Sequence, residues 1–357
     1  MTINRNFWKG RRVFLTGHTG FKGGWLALWL LNKGAIVFGY ALHPPTDPNF
    51  FIVCNLESQL DGSTIADIRD TESLNQAMQA AQPEIVFHLA AQPLVRHSYS
   101  FPVETYAINV MGTVNLLEAV RQTPSVKTVV NITTDKCYEN KEWVWPYREN
   151  EAMGGFDPYS SSKACSELIT AAYRSSFLEP SGIYIASARA GNVIGGGDWA
   201  TDRLIPDFLR SIDTCCTLTI RSPLARRPWQ HVLEPLSGYL ILAQKLHEDG
   251  KKISGAWNFG PEDGDTRTVQ WIVDYLCSQI HDTFWHCDKT NHPHEAHTLK
   301  LDSSKAKNQL GWKPLWNLQE ALGMTLRWHQ AWRNSQNMVQ VSLEQIHQYE
   351  SDVYQHE

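Results

Sequence analysis

Arg11-Arg12-Val13-Phe14-Leu15-Thr16-Gly17-His18-Thr19-Gly20-Phe21-Lys22-Gly23-Gly24-Trp25-Leu26-Ala27-Leu28-Trp29-Leu30-Leu31-Asn32-Lys33-Gly34 changes character twice. Its branched and aromatic start reads as a strand. A glycine-spaced turn follows, and then an apolar run that reads as a helix closed by Gly34 just past its end. The glycines at 17, 20 and 23 have the spacing G-x-x-G-x-x-G. Such glycines let the chain turn tightly and let backbone approach a pyrophosphate, while the helix N-terminus supplies N–H groups and a positive dipole end. The strand–turn–helix setting is the context this motif requires. Gly17, Gly20 and Gly23 are therefore expected to cradle a dinucleotide, with Thr19 and Phe21 against it.

Working outward, residues 35–40, 64–66, 84–89, 126–132 and 182–189 read as further strands. Helical stretches at 71–81 and 102–122 lie between them. Strands separated by helices imply right-handed βαβ units, hence an α/β chain with a Rossmann-type doubly wound parallel sheet. Beyond Asp198 the alternation loosens into Gly-, Pro- and Trp-rich loops, as expected of a smaller, discontinuous C-terminal substrate domain. The expected division is 1–191 for the dinucleotide-binding domain, with 232–260 returning to it. Residues 192–231 and 261–333 would form mainly the substrate domain, and 334–357 a polar tail. A helix starts at Leu318, with Asn317 as N-cap and Glu320 placed to complete a capping box. An acid for the ribose hydroxyls is expected near the end of the second strand, but Gly39-Tyr40-Ala41-Leu42 contains none. No Lys or Arg occurs between Gly34 and Ile68 to take a 2′-phosphate. The expected cofactor is NAD.

The 357 residues are 42% hydrophobic and 19% charged, an ordinary globular composition. A net charge of -5 gives no reason to expect nucleic acid or an anionic membrane surface as partner. The apolar run from Trp25 to Leu31 is too short to span a bilayer. Seven scattered cysteines without a Cys-x-x-Cys pair fit reduced thiols and a cytoplasmic location better than a disulfide framework or zinc site. His281, His286, His292, His294 and His297 cluster in sequence, but no carboxylate or cysteine pattern fixes a metal geometry, so they read as a loop and no metal is expected. The tryptophans, fourteen in number, are scattered through both halves, which suits packing. Only Trp229 is expected at a pocket.

Reacting groups belong at the carboxyl ends of the strands. There the fifth strand turns polar as Thr133-Thr134-Asp135-Lys136, and Tyr159 and Lys163 follow one helical turn apart. In a chain with twelve tyrosines the Tyr-x-x-x-Lys spacing alone carries little weight; its place after the fifth strand does. Together with the glycine turn, Asp67-Ile68-Arg69-Asp70, His88-Leu89-Ala90-Ala91-Gln92 and Asn109-Val110-Met111-Gly112-Thr113, it resembles the extended short-chain dehydrogenase/reductase family. The resemblance runs from residue 11 to about 330 and is strongest to the nucleotide-sugar 4,6-dehydratases.

The resemblance implies an NAD-dependent intramolecular oxidoreduction and dehydration of a nucleotide-activated glucose. The string Thr134-Asp135-Lys136-Cys137-Tyr138-Glu139-Asn140 is similar to members acting on CDP-glucose, the expected substrate. Tyr159 would take the proton of the sugar 4-hydroxyl, its pKa lowered by Lys163 and a cationic nicotinamide, with Thr134 bonded to the same oxygen. The family's acid–base pair is usually Asp-Glu, and here it is Asp135-Lys136. Asp135 is then expected to protonate the leaving 6-hydroxyl and Lys136 to remove the C5 hydrogen; an ion pair that only shapes the pocket is the alternative. Asp67 and Ile68 would face the adenine, unless Asp67 caps the next helix, a role that suits Asp70 better. Leu89, Ala90 and Ala91 would line the dinucleotide. Gln92 either reaches the substrate or closes its own loop. Asn192 and Arg227 would hold the diphosphate, while Arg189 reads as structural and Ser161 and Ser162 as surface residues. The resemblance also implies a homodimer through the helices carrying Thr105–Arg121 and Tyr159–Phe177. A 4-epimerase, which needs no elimination pair, and a dinucleotide-sensing regulator are the rival readings.

Overall fold

The computed structural model describes residues 3–280, 283–288, 290 and 298–355. Six strands alternate with helices through the first half: β1 (Arg12–Thr16), β2 (Ile36–Ala41), β3 (Gly62–Ile65), β4 (Ile85–His88), β5 (Thr128–Ile132) and β6 (Tyr184–Ala190). The chain then leaves the sheet through β7 (Asn192–Ile194), β8 (Leu218–Ile220) and β9 (Arg226–His231), and returns with β10 (Gly255–Phe259). The main sheet has seven strands in the order β10-β6-β5-β4-β1-β2-β3, parallel throughout. From β1 the chain fills one side of the sheet and then crosses to the other, so a crevice opens beyond the carboxyl ends of β1 and β4.

Alternation along β1 shows how the sequence builds both layers. Val13 and Leu15 face a core shared with helices Phe21–Asn32 and Leu233–Asp249. Phe14 faces the opposite core, with Leu74 and Met78 of helix Thr71–Ala81 and with Leu116 and Leu117. Every residue of β4 and β5 is buried, as strands covered on both faces require. Helix 102–121 contains a π-helical turn at Ala107–Met111 that places Asn109 against the loop after β4.

The excursion forms a smaller unit. There β9 pairs in parallel with β7 and antiparallel with β11 (Thr266–Thr268), and β8 pairs with β12 (Trp285–Cys287). Ile205, Phe208, Ile272, Leu276 and Leu322 make its core. Helix Leu318–Arg333 opens with a capping box in which Asn317 accepts from Glu320 N at 3.0 Å and Glu320 accepts from Asn317 N at 2.8 Å. Of the histidine cluster, His286 lies on β12; His281, His292, His294 and His297 lie outside the described residues. Among the described residues no group of three His, Cys, Asp or Glu could hold a metal, and no helix is long and apolar enough to cross a membrane.

The polar tail is a correction. Met338–Gln355 is a helix, with Met338, Ser342, Gln345, Ile346 and Tyr349 buried at helical spacing. It packs on helix Phe21–Asn32, where Trp29 donates to Glu350 at 2.7 Å, and Tyr349 donates at 2.7 Å to Glu234 of helix Leu233–Asp249. Trp316 donates to Asp352 at 2.8 Å and Trp328 to Ser342 at 2.9 Å. The buried stripe contains Ser342 and Gln345, so its periodicity is hidden in a hydropathy reading.

Candidate active site

The crevice holds a cavity of about 700 Å³, within the range of small-molecule sites. The glycine turn forms one wall. Gly17 has φ +77°, and a Cβ there would lie 2.8 Å from Ala90 N; one on Gly23 would lie 2.0 Å from Gly17 O. Any larger residue would therefore push the turn away from the β4 loop or the helix from the turn. Thr19, Gly20 and Phe21 line the cavity beside them, and Thr19 fixes the turn by donating to Leu42 O at 2.8 Å. Asp67, Ile68, Leu89, Ala90 and Ala91 line the same end. Asp70 is the cap of helix Thr71–Ala81, which frees Asp67 of that role; Asp67 instead pairs with Arg69 at 2.6 Å, and this pairing lowers its pKa. A pocket with an N–H-rich turn and apolar walls suits a dinucleotide.

Helix Pro158–Tyr173 carries the central pair. Asp157 caps it by accepting from Ser160 N at 2.9 Å, and Pro158 pre-sets its first turn. Tyr159 N donates to Ser98 Oγ at 3.1 Å, so the helix start is tied to the loop after β4. Lys163 Nζ donates to Ile132 O at 3.3 Å, holding the amine at the end of β5. Thr134 caps the short helical turn Asp135–Cys137, donates to Asp135 Oδ1 at 2.9 Å and hydrogen-bonds Tyr159. Thr134, Asp135, Lys136, Tyr159 and Lys163 thus meet in one wall. Asp135 is 1% exposed, and its Oδ2 is buried without a hydrogen-bond partner. That oxygen lies 3.1 Å from where a Cβ of Gly191 would be, so a glycine there leaves the carboxylate room.

Tyr159 is pushed up to about 12, chiefly by burial. The Thr134 hydrogen bond and Arg203 oppose this, while Asp135 and Asp157 add to it. Lys163 is itself pulled down to about 8 by burial, against the pull of Glu167. Behind the site, Arg189 and Glu167 form a buried ion pair at 2.8 Å. Glu167 also accepts from Thr133 and Ser187, and Arg189 donates to Tyr138 at 2.7 Å. Arg189 is therefore structural: it locks helix Pro158–Tyr173 to β5 and β6.

Two more assignments change. Gln92 does not line the cavity. Its amide donates to Leu94 O and Thr105 Oγ1 at 3.1 and 3.0 Å and its carbonyl accepts from Leu94 N at 2.5 Å, so it closes its own loop. Ser162 is fully buried rather than on the surface, accepting from Asn109 at 2.9 Å. At the far end, Asn192 and Trp229 are register partners on β7 and β9, and Arg227 shares their face of β9. All three line the cavity. The sequence reading missed Lys22, Arg96, Arg203 and Arg221, further cations on the cavity wall. Lys22 is hidden among the glycines of the turn and Arg203 in an irregular loop, so only the fold aims them inward.

The family model described as GDP-mannose 4,6 dehydratase matches residues 14–325. CDP-glucose 4,6-dehydratase of Salmonella typhimurium is 57% identical over 355 residues, covering 98% of this chain and 99% of that one. A dTDP-glucose 4,6-dehydratase of Xanthomonas campestris pv. campestris is 23% identical over 335 residues, covering 88% and 92%. Among solved structures, DesIV (dTDP-glucose 4,6-dehydratase) from Streptomyces venezuelae with NAD and TYD bound has a TM-score of 0.76 at 22% identity, covering 92% of this chain and 99% of that one. A UDP-glucose 4-epimerase of Thermotoga maritima has a TM-score of 0.76 at 23% identity, covering 90% and 99%. At these identities the solved structures establish the shared fold.

Proposed function

Since the chain belongs to the GDP-mannose 4,6 dehydratase family, we propose that it dehydrates CDP-glucose to the 4-keto-6-deoxy sugar nucleotide, using NAD without net consumption. The observation that carries this reading is a single cavity uniting the glycine turn, the Thr134/Tyr159/Lys163 group and the Asp135-Lys136 pair. The 57% identity to the Salmonella typhimurium enzyme supports CDP-glucose as the substrate.

NAD+, when bound along the glycine turn, supplies the acceptor for the C4 hydride, a positive charge near the phenol, and the same hydride for return to C6. Tyr159 takes the 4-hydroxyl proton, and Thr134 holds the same oxygen. Because burial raises the pKa of the phenol, proton removal depends on positive charge gathered around it. Once C4 is a ketone the C5 hydrogen is acidic. Lys136 removes it while Asp135 gives a proton to the departing 6-hydroxyl, and one water leaves. Arg227 and Asn192 anchor the diphosphate away from the reacting carbons; a guanidinium suits its paired oxygens.

Incubating the protein with NAD+ and either CDP-glucose or dTDP-glucose, then weighing the products, tests the reading. The CDP-sugar is expected to lose one water and the dTDP-sugar to stay largely unchanged. An epimerised product of unchanged mass would sink the dehydratase assignment.

The active species is a homodimer in a cytoplasmic pathway of deoxysugar synthesis that supplies the lipopolysaccharide O-antigen. Support for the dimer comes from helices 102–121 and Pro158–Tyr173 with the turn after it, which leave Val103, Met111, Leu168 and Phe177 exposed, Val103 by 82%. Such apolar faces are normally covered. Light scattering should give about twice the chain mass of 40.6 kDa; a monomer at micromolar concentration would overturn this.

A further inference from the structure

Lys22 stands at the joint between the two parts of the site. It belongs to the glycine turn, yet its side chain runs inward, with Nζ donating to Tyr239 OH at 3.3 Å and lying 5.5 Å from the centre of that ring. It lines the same cavity as Thr134, Tyr159 and Lys163. Lys163 and Arg203 are its cationic neighbours and Asp135 its anionic one. Among the described residues no carboxylate lies within ion-pair distance of its amine; Arg203 is held by Asp198 at 2.9 Å.

On the proposed reading, the carbon that loses hydride carries the hydroxyl met by Tyr159. A nicotinamide ring whose pyrophosphate rests on the glycine turn must therefore lie between that turn and Tyr159. Lys22 reaches across the same interval. A full charge near a ring in a site of low dielectric constant is felt strongly, and the ring changes its own charge during the reaction. We infer that Lys22 sets the balance between oxidised and reduced cofactor, its ammonium opposing the cationic ring and accepting the neutral one. The residue thereby makes bound NAD+ a stronger hydride acceptor, which favours the first step on a sugar alcohol that is a poor hydride donor.

The same placement gives the effect a pH dependence. Burial, with Lys163 and Arg203, pulls the Lys22 amine down to about 7, against Asp135. It is charged below that pH, where NAD+ binding is opposed, and neutral above it, where the opposition is lost; NADH is indifferent. The titratable groups facing it are Lys163 and Tyr159 from helix Pro158–Tyr173, Asp135 from the turn after β5 and Tyr239 from helix Leu233–Asp249. Lys163 also titrates in this range, so the test compares variants.

Cofactor-free protein is titrated with NAD+ and with NADH at pH 6 and pH 9, following quenching of tryptophan fluorescence. The preference of the wild type for NADH should be about tenfold greater at pH 6, the equivalent of one pKa unit. Lys22→Met should bring the two preferences within about twofold by tightening NAD+ at pH 6, and Lys22→Arg should keep the acid-side preference at both pH values. A Met variant that titrates like the wild type, or a wild-type preference that does not change with pH, overturns the role of Lys22 and leaves the dinucleotide site standing. Failure of the wild type to bind either form overturns both.

Discussion

Tyr159→Phe should lower turnover of CDP-glucose by about a thousandfold, the range expected when a positioned proton acceptor is removed. The ring is retained, so packing at this 8% exposed position is kept. The helix start is held by Asp157 and by the Tyr159 N–H to Ser98, neither of which involves the phenol. Stability should therefore change by less than about 1 kcal/mol, the price of one hydrogen bond to Thr134. Binding of NAD+ should be unchanged. The measurement is a single-turnover trace at 340 nm in which the NADH signal fails to appear. Retention of more than a tenth of the wild-type rate would show that another group takes the proton.

The second large effect separates the two halves of the reaction. In Lys136→Met, C4 oxidation should proceed and elimination should stop, so the NADH signal rises and persists while dehydrated product falls by at least about a hundredfold. Lys136 backbone N donates to Thr134 at 3.3 Å, so the change at the side chain leaves the turn intact. Exchange of the C5 hydrogen with solvent deuterium should stop as well. Normal amounts of dehydrated product would reduce Asp135-Lys136 to an ion pair that shapes the pocket.

Both expectations depend on how little of the site is strained. Thr133, Ser187 and Arg189 satisfy Glu167, so the carboxylate buried behind the catalytic helix is fully partnered. These bonds tie the helix, β5 and β6 to one another. Gly191 and Asp135 are the exception in the same wall, where a buried oxygen lacks a partner and the backbone leaves it space.

The doubly wound sheet was legible in the sequence because its signals are local. A strand, a glycine turn and a helix follow one another within residues 11–34, and the helix Thr71–Ala81 agrees with its predicted limits. Asp70, Asn317 and Glu320 act within one turn of their own positions, so capping could be assigned from spacing. Thr134, Tyr159 and Lys163 could be grouped because the carboxyl ends of neighbouring strands in a parallel sheet must lie together. What depends on distant partners could not be read. Ser342 and Gln345 are buried only because Trp328 and Met324 O come to meet them, which hid the last helix. Whether Gln92 met substrate or closed its own loop depended on Thr105, which takes its amide. Lys163 and a cationic nicotinamide were expected to lower the Tyr159 phenol; burial, which no single sequence displays, pushes it the other way. Thus the alternation of strands and helices, the glycine turn and the grouping of the candidate reacting side chains follow from local pattern. The direction of Lys22, the occupation of Gln92 and the protonation of Tyr159 were decided by tertiary packing, since each depends on groups brought near from elsewhere in the chain.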